Sequence, residues 1–529
     1  MLSVTPSPER IALNRLAFGA RPGDEDRLRS IGLAAYIEEQ LRPPPVTDDP
    51  MTQARLAQAT LRINYGAGTK FAALDEERPL ALLGQRMPAL WSIQLKVGAS
   101  ELPQAEATRA VEELRAATWI RAVHSEWQLR EVMAGFWHDH FNVNALTDNR
   151  ILVSMPAYDR DAIRAHALGN FRHMLEAVAT STAMLLYLDN AKSQAARPNE
   201  NYAREAMELH SLGRAAYLGH TFADWWMVPG AAAGQPVGFL DDDVFGAAKA
   251  FSGWTVAMGQ RLSSSVTLAN NGTFVYAPQL HSNAAAIVLA THLASYPGPM
   301  AAGRKVLDLL AAHRATAAFV AGKIVHRLIG PGASQGLIDR AAATFAESVH
   351  APDQIARTLR TILRDPEFVA DPGRKLRRPF ERAVALMRAT LVEIRPTASL
   401  FRTLEQTGQK PFAWPTPDGH PDDDDSWLGS NQELKSWNML LALFSASLGA
   451  TSALLPQTPV GNDVAQAIEL WSGRLLGHRL SATSYAALFD DAIAVGGLRD
   501  GLTAKGTRAE TALQRMLGLM AASDEFAYR

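Results

Sequence analysis

The chain has 529 residues, 47% apolar and 20% charged, with 52 Lys plus Arg against 54 Asp plus Glu and no cysteine. That length calls for roughly two to four packing units. A net charge of −2 gives no field to attract nucleic acid or anionic lipid. The missing cysteine excludes disulfides, thiolate nucleophiles, Cys-ligated zinc and iron–sulfur clusters, and is neutral on redox compartment.

Helical periodicity dominates. Ser7-Pro8-Glu9 is a start signal, and Gly19 closes the first run. Asp24 is placed to cap a short helix, and Leu33 to Leu41 predicts another, stopped by Pro43-Pro44-Pro45. Residues 50–100 read as helix interrupted by Gly66, Gly68, Pro79 and Pro88. From 104 to 141 the pattern is strong: Leu129, Val132, Met133, Phe136, Trp137, His140 and Phe141 share one helical face. Residues 159–187 predict one or two helices, and 199–213 another, stopped by Gly213. A Gly/Pro/Ala-rich loop at 227–243 leads to a short helix at 244–254. Alternation around Asn271-Gly272 predicts a β-hairpin near 265–277. Helices resume at 300–328, 335–348, 353–364 and 376–394. Residues 408–431 read as a long, solvated, proline- and aspartate-rich loop, and the last hundred residues as helix again. The expectation is a mainly α, multi-helical globular fold: an N-terminal helical lobe (1–260), a small β-hairpin insert (261–282) and a C-terminal helical lobe (283–529). No apolar run is long enough to span a membrane. The first ten residues lack a signal peptide, which points to the cytoplasm unless a leader is missing from this chain.

Two stretches concentrate ionisable groups within apolar surroundings: Phe136-Trp-His-Asp-His-Phe141 and Asn199-Glu-Asn-Tyr-Ala-Arg-Glu-Ala-Met-Glu-Leu-His210. Buried charge is costly unless paired, hydrogen-bonded or metal-bound. His138 and His140 are nitrogen donors suited to a transition metal. Glu205 and Glu208, at i and i+3 with Asn201 on the same face, are suited to a divalent ion or a shared proton. His138 lies about 200° from His140 by the helical period, so both converge only if the helix ends near there. The candidate metal ligands are His138, His140, Glu205, Glu208 and His210. Glu200 and His281 are candidate acid–base residues, since His281 follows the hairpin and is placed to project into a cleft. The competing reading is a bracing network in which Arg204, Arg130 or Arg172 pairs with the glutamates. Gly332-Ala-Ser334-Gln-Gly336 matches a nucleophile elbow by letters, but a helix precedes it where a strand is required, so Ser334 reads as a helix cap. His313, Lys323 and His326 read as ordinary helix residues.

Those two stretches, with Met184-Leu-Leu-Tyr-Leu-Asp-Asn190, Ala250-Phe-Ser-Gly-Trp254, Leu309-Leu-Ala-Ala-His313, Phe319-Val-Ala-Gly-Lys323, Lys375-Leu-Arg-Arg-Pro379 and the opening Leu16-Ala-Phe-Gly-Ala-Arg-Pro22, resemble the bacterial family named domain of unknown function 1800. The resemblance runs over nearly the whole chain and implies a large, mainly helical bacterial protein. It also implies export or a periplasmic setting, and a possible partner in the sulfatase-like family named domain of unknown function 1501. The chain departs from the family where Ser282, not an aspartate, follows His281, and the 227–243 loop resembles an insertion. The function expected is a divalent-metal-dependent hydrolase acting on an extracellular or cell-envelope polymer or ester. The alternative is a non-enzymatic partner in assembly or export. A carboxylate-pair glycosidase fits less well, because its two acids would have to face each other across a cleft.

Overall fold

The computed structural model describes residues 3, 5–44, 47–370, 375–458, 464–494 and 507–529; Pro45 and two segments of the C-terminal hundred residues lie outside them. Among the described residues the protein is mainly α-helical, with 23 α-helices and four two-stranded antiparallel ladders. None of these helices is long and apolar enough to cross a membrane. One hydrophobic core runs from Ala12 to Phe526. Its axis is the Gln104–His124 helix, buried on more than one face, against which the Asn149–Ala157 and Pro379–Ala389 helices pack.

The predicted 104–141 run is broken at Ser125–Trp127. There the Gln128 amide donates to the Ala122 and Ser125 carbonyls, taking acceptors that a continuing helix would fill. The second piece, Gln128–His140, is almost wholly buried. Further along, Pro156 lies inside the Asn149–Ala157 helix, and a π-helical turn, Tyr158–Ile163, follows it. That turn aims Asp159 at the end of the Gln128–His140 helix.

The β structure differs from expectation. Asn271-Gly272 is not a turn but part of a strand, Asn270–Tyr276, which pairs with Trp254–Met258 across a register shift. Gly272 has φ +71°, and a Cβ there would meet Trp91, so the glycine lets the Met87–Gly98 helix approach the strand closely. A second ladder, Thr60–Tyr65 with Leu74–Pro79, occupies a stretch that reads as interrupted helix. Leu61 and Ile63 bury one face of it, a period of two masked by the helix-rich flanks. Asp241-Asp242-Asp243 forms the first turn of the Asp241–Phe251 helix and does not belong to the preceding loop. The Asp243 carboxylate accepts from the Leu240 and Leu289 amides. Ser334 caps its helix as expected, accepting from the Leu337 amide at 3.1 Å.

The 408–431 loop is a strap more than a solvated excursion. Phe412, Ala413, His420 and Trp427 are buried. The Phe412 carbonyl accepts from the Ala145 amide, and the Asn142 side chain donates to the Trp414 and Thr416 carbonyls. The strap crosses the C-terminal end of the Gln128–His140 helix at Gly419, whose φ is +76° and where a Cβ would lie 2.0 Å from the Asp139 carbonyl oxygen. Gly419→Ala is expected to cost at least about 1–2 kcal/mol from the left-handed backbone alone, with the clash added. Chemical denaturation checks this, and an unchanged midpoint would show that the strap does not rest there.

Candidate functional site

Successive residues of an α-helix point about 100° apart, so His138, Asp139 and His140 enter three environments. The His138 Nε2–H donates to Asp159 Oδ1 at 2.9 Å, and its ring packs edge-on against Phe412. Asp139 accepts from Arg378 at 2.7 Å and from His420 Nδ1 at 2.9 Å. Burial alone pushes the Asp139 carboxyl up, but Arg378 and His420 outweigh it and hold it well below the usual carboxylate range. His140 is fully buried. Its Nε2 lies 3.1 Å from the His210 carbonyl, and its Nδ1 lies 3.1 Å from Lys323 Nζ. A carbonyl only accepts, so Nε2 carries the proton and Nδ1 accepts from the lysine.

The Glu200–Glu208 helix is capped by Asn199, whose side chain accepts from the Asn201 amide. Tyr202, Ala203, Ala206 and Met207 face the core, leaving Glu205 and Glu208 on the opposite side. The helix ends at Glu208, earlier than Gly213 suggests. The Leu209 and His210 amides both close on the Glu205 carbonyl, and this tightened end turns His210 inward to complete burial. His210 then lies against Phe141 and Tyr202, and neither of its ring nitrogens meets a protein partner among the described residues. Burial, reinforced by Lys323, lowers its pKa to about 3.

These side chains back a cleft of about 640 Å³ whose walls include Glu208, Gly213, Arg214, Phe319, Lys323 and Asp418. Glu208 lies 3.5 Å from Arg204 and 3.6 Å from Arg214. Glu205, one helical turn back, has a buried Oε2 with no partner among the described residues. Burial, then the charge of Glu208, raises its pKa. Burial lowers the pKa of Lys323, against a counter-pull from Asp422, Asp139 and Asp418.

The expected five-ligand metal set is not assembled. His138 is turned away to Asp159, because the helix continues through His140 and keeps the two imidazoles on different sides. Both nitrogens of His140 are engaged, one of them by an ammonium group standing where a metal ion would have to bind. Among the described residues no three His, Asp or Glu side chains are arranged to hold a metal ion. The donor set therefore does not fit a divalent ion. Glu200 is exposed in the first turn of its helix, and His281 donates its Nδ1–H to the Ser252 carbonyl on the hairpin side; neither lines the cleft. Of the arginines proposed to brace the glutamates, Arg204 does so, whereas Arg130 pairs with Asp48 and Glu131, and Arg172 with Glu176 and Asp308.

A family model described as "Protein of unknown function (DUF1800)" matches residues 11–528. The chain belongs to the DUF1800 family. No curated protein and no solved structure matches it. In this DUF1800 chain the sequence reading missed Lys323, Asp418, His420 and Arg378. Lys323 sits at ordinary helical spacing and carries no local signal. The aromatic residues Phe412, Trp414 and Trp427 within an otherwise polar loop were the available hint that it packs inward.

Proposed function

We propose that the Glu208–Lys323 cleft is an acid–base active site for hydrolysis of an ester or polymer linkage. The observation that carries this is the divergence of two carboxyls on one helical face. Glu205 is half-buried one turn behind the cleft wall, with an Oε2 that has no partner among the described residues and a raised pKa, while Glu208 stands in the wall flanked by two arginines. Two neighbouring acids in unlike environments divide the acid and base roles. Glu208 takes a proton from water as its oxygen bonds to the electrophilic carbon. Glu205 gives its proton to the departing oxygen as the old bond breaks. The proton then passes between the two groups, which are one turn apart, to restore the starting state.

The test is a screen of chromogenic esters and polysaccharides with wild-type protein and Glu208→Gln. Turnover that falls at least about 100-fold in the variant, with the fold intact, supports the assignment. Equal turnover in both proteins rules Glu208 out as the base.

A second reading is favoured by the density of buried ion pairs behind the cleft. If Asp139, Arg378, Glu381 and Arg327 only brace the helices, the protein is a non-enzymatic assembly or export partner. It would then hydrolyse nothing in the same screen.

A further inference from the structure

Lys323 differs from the other buried cations next to it. Arg378 has Asp139, and Arg327 has Glu381 at 2.5 Å. Among the described residues no carboxylate lies within ion-pair distance of Lys323 Nζ, although its charge is felt by Asp139, Asp418 and Asp422 at longer range. Its one hydrogen-bond partner among the described residues is His140 Nδ1, a neutral acceptor held in that tautomer by the His210 carbonyl. An ammonium group has three N–H donors, so two remain, and Lys323 is a wall of the cleft.

The rest of the cleft explains why that cation is not neutralised from within. The Glu208 carboxylate is shared between Arg204 and Arg214. Asp418 accepts from the Thr416 hydroxyl, within its own turn of the strap. Arg214 is two-thirds exposed and belongs to the same wall as Lys323. Its nearest approach to Glu208 is 3.6 Å, from Nε, which is too long for a hydrogen bond, so the guanidinium keeps N–H groups to offer a second acceptor. Phe319 packs beside the lysine stem, with Nζ 5.4 Å from its ring, and so limits the directions the ammonium can take. A buried cation without a counter-ion is costly, and an open cleft lets that counter-ion come from outside.

We infer that Lys323, with Arg214 at the rim, binds an oxyanion group (a carboxylate or a sulfate) carried by the substrate of this cleft. This rests on the cleft being the active site, and it gives the substrate a class: an acidic ester or polymer, not a neutral one. Lys323 is then a binding residue whose hydrogen bond to His140 fixes where the anion sits relative to Glu205 and Glu208.

The inference is tested by binding alone, so it stands or falls separately from turnover. Full-length protein is labelled briefly with acetic anhydride in chloride, in acetate and in sulfate at equal ionic strength, and acetylation of each lysine is read by mass spectrometry. Protection of Lys323 by acetate or sulfate, saturable and at least about fivefold over chloride, is expected, with surface lysines such as Lys70 and Lys192 unprotected. Protection by acetate alone assigns a carboxylate, and protection by sulfate alone assigns a sulfate. In a parallel arm the thermal midpoint is titrated with the same salts. Wild type should show a saturable rise above chloride, absent in Lys323→Met and retained in part in Lys323→Arg. Equal labelling in all three salts, or the same thermal rise in Lys323→Met, overturns the inference while leaving the glutamate chemistry untouched. Loss of turnover without loss of protection would locate the failure in that chemistry instead.

Discussion

Glu381→Gln should lower stability by about 3–5 kcal/mol, the largest loss expected from a single polar substitution in this protein. Glu381 is 2% exposed and lies 2.5 Å from Arg327, 3.5 Å from Arg378 and 3.7 Å from Arg529. Burial pushes its carboxyl up, yet these cations overcome the penalty and hold it well below the usual range. The amide keeps the shape and removes the charge, so three buried guanidinium groups lose a shared counter-ion. A denaturation midpoint that falls with unchanged slope is the expected signature. A shift under about 1 kcal/mol would mean that the arginines find other partners. The pH dependence follows with a definite sign. Asp139 and Glu381 both have folded pKa values below their unfolded ones. Their stabilisation is therefore fully present above the ordinary carboxylate range, and is lost on acidification from that range down toward the depressed values. Glu381→Gln should remove part of that acid sensitivity as well as part of the stability.

Glu205→Gln should reduce turnover by about 10²- to 10⁴-fold, the usual contribution of a positioned general acid. The glutamine keeps the helix and the volume but cannot donate the proton. Because the pKa of Glu205 is raised, its acid form persists to higher pH than that of an exposed glutamate, and wild-type activity should decline only as pH rises through the raised value. The residual activity of the variant should lack that limb. Glu205→Asp, a shorter acid, should keep the limb with reduced rate. A Glu205→Gln protein of normal activity and normal pH profile would remove the acid from the proposal. The fold of this variant is not at risk in the same way, since Glu205 Oε2 has no partner among the described residues to lose.

Much of the helical architecture was legible because its signals are local. Ser334 reads as a cap from a hydroxyl before an apolar run, and the 335–348 and 353–364 helices stand close to their expected bounds, whereas the 300–328 run is divided at His313 and the 376–394 run stops at Ala389, before a short strand at Glu393–Ile394. The strands were harder. Asn271-Gly272 carries turn chemistry, but the tryptophan that needs the glycine is Trp91, 181 positions away in the chain. Nothing near residue 272 announces that contact.

The site divides in the same way. The two polar stretches, 136–141 and 199–210, stood out because so many ionisable groups within apolar surroundings must be satisfied somewhere. That demand is a property of composition, and the chain alone states it. Which group satisfies which is a property of contact. His140 meets Lys323 across 183 residues, and Asp139 meets His420 across 281. Helical rotation separates His138 from His140, and the tightened end after Glu208 brings His210 inward. Burial and partner identity then decide whether an imidazole is a metal ligand or a neutral acceptor for an ammonium group. Those two quantities exist only once distant segments are packed, so only the tertiary structure could decide them.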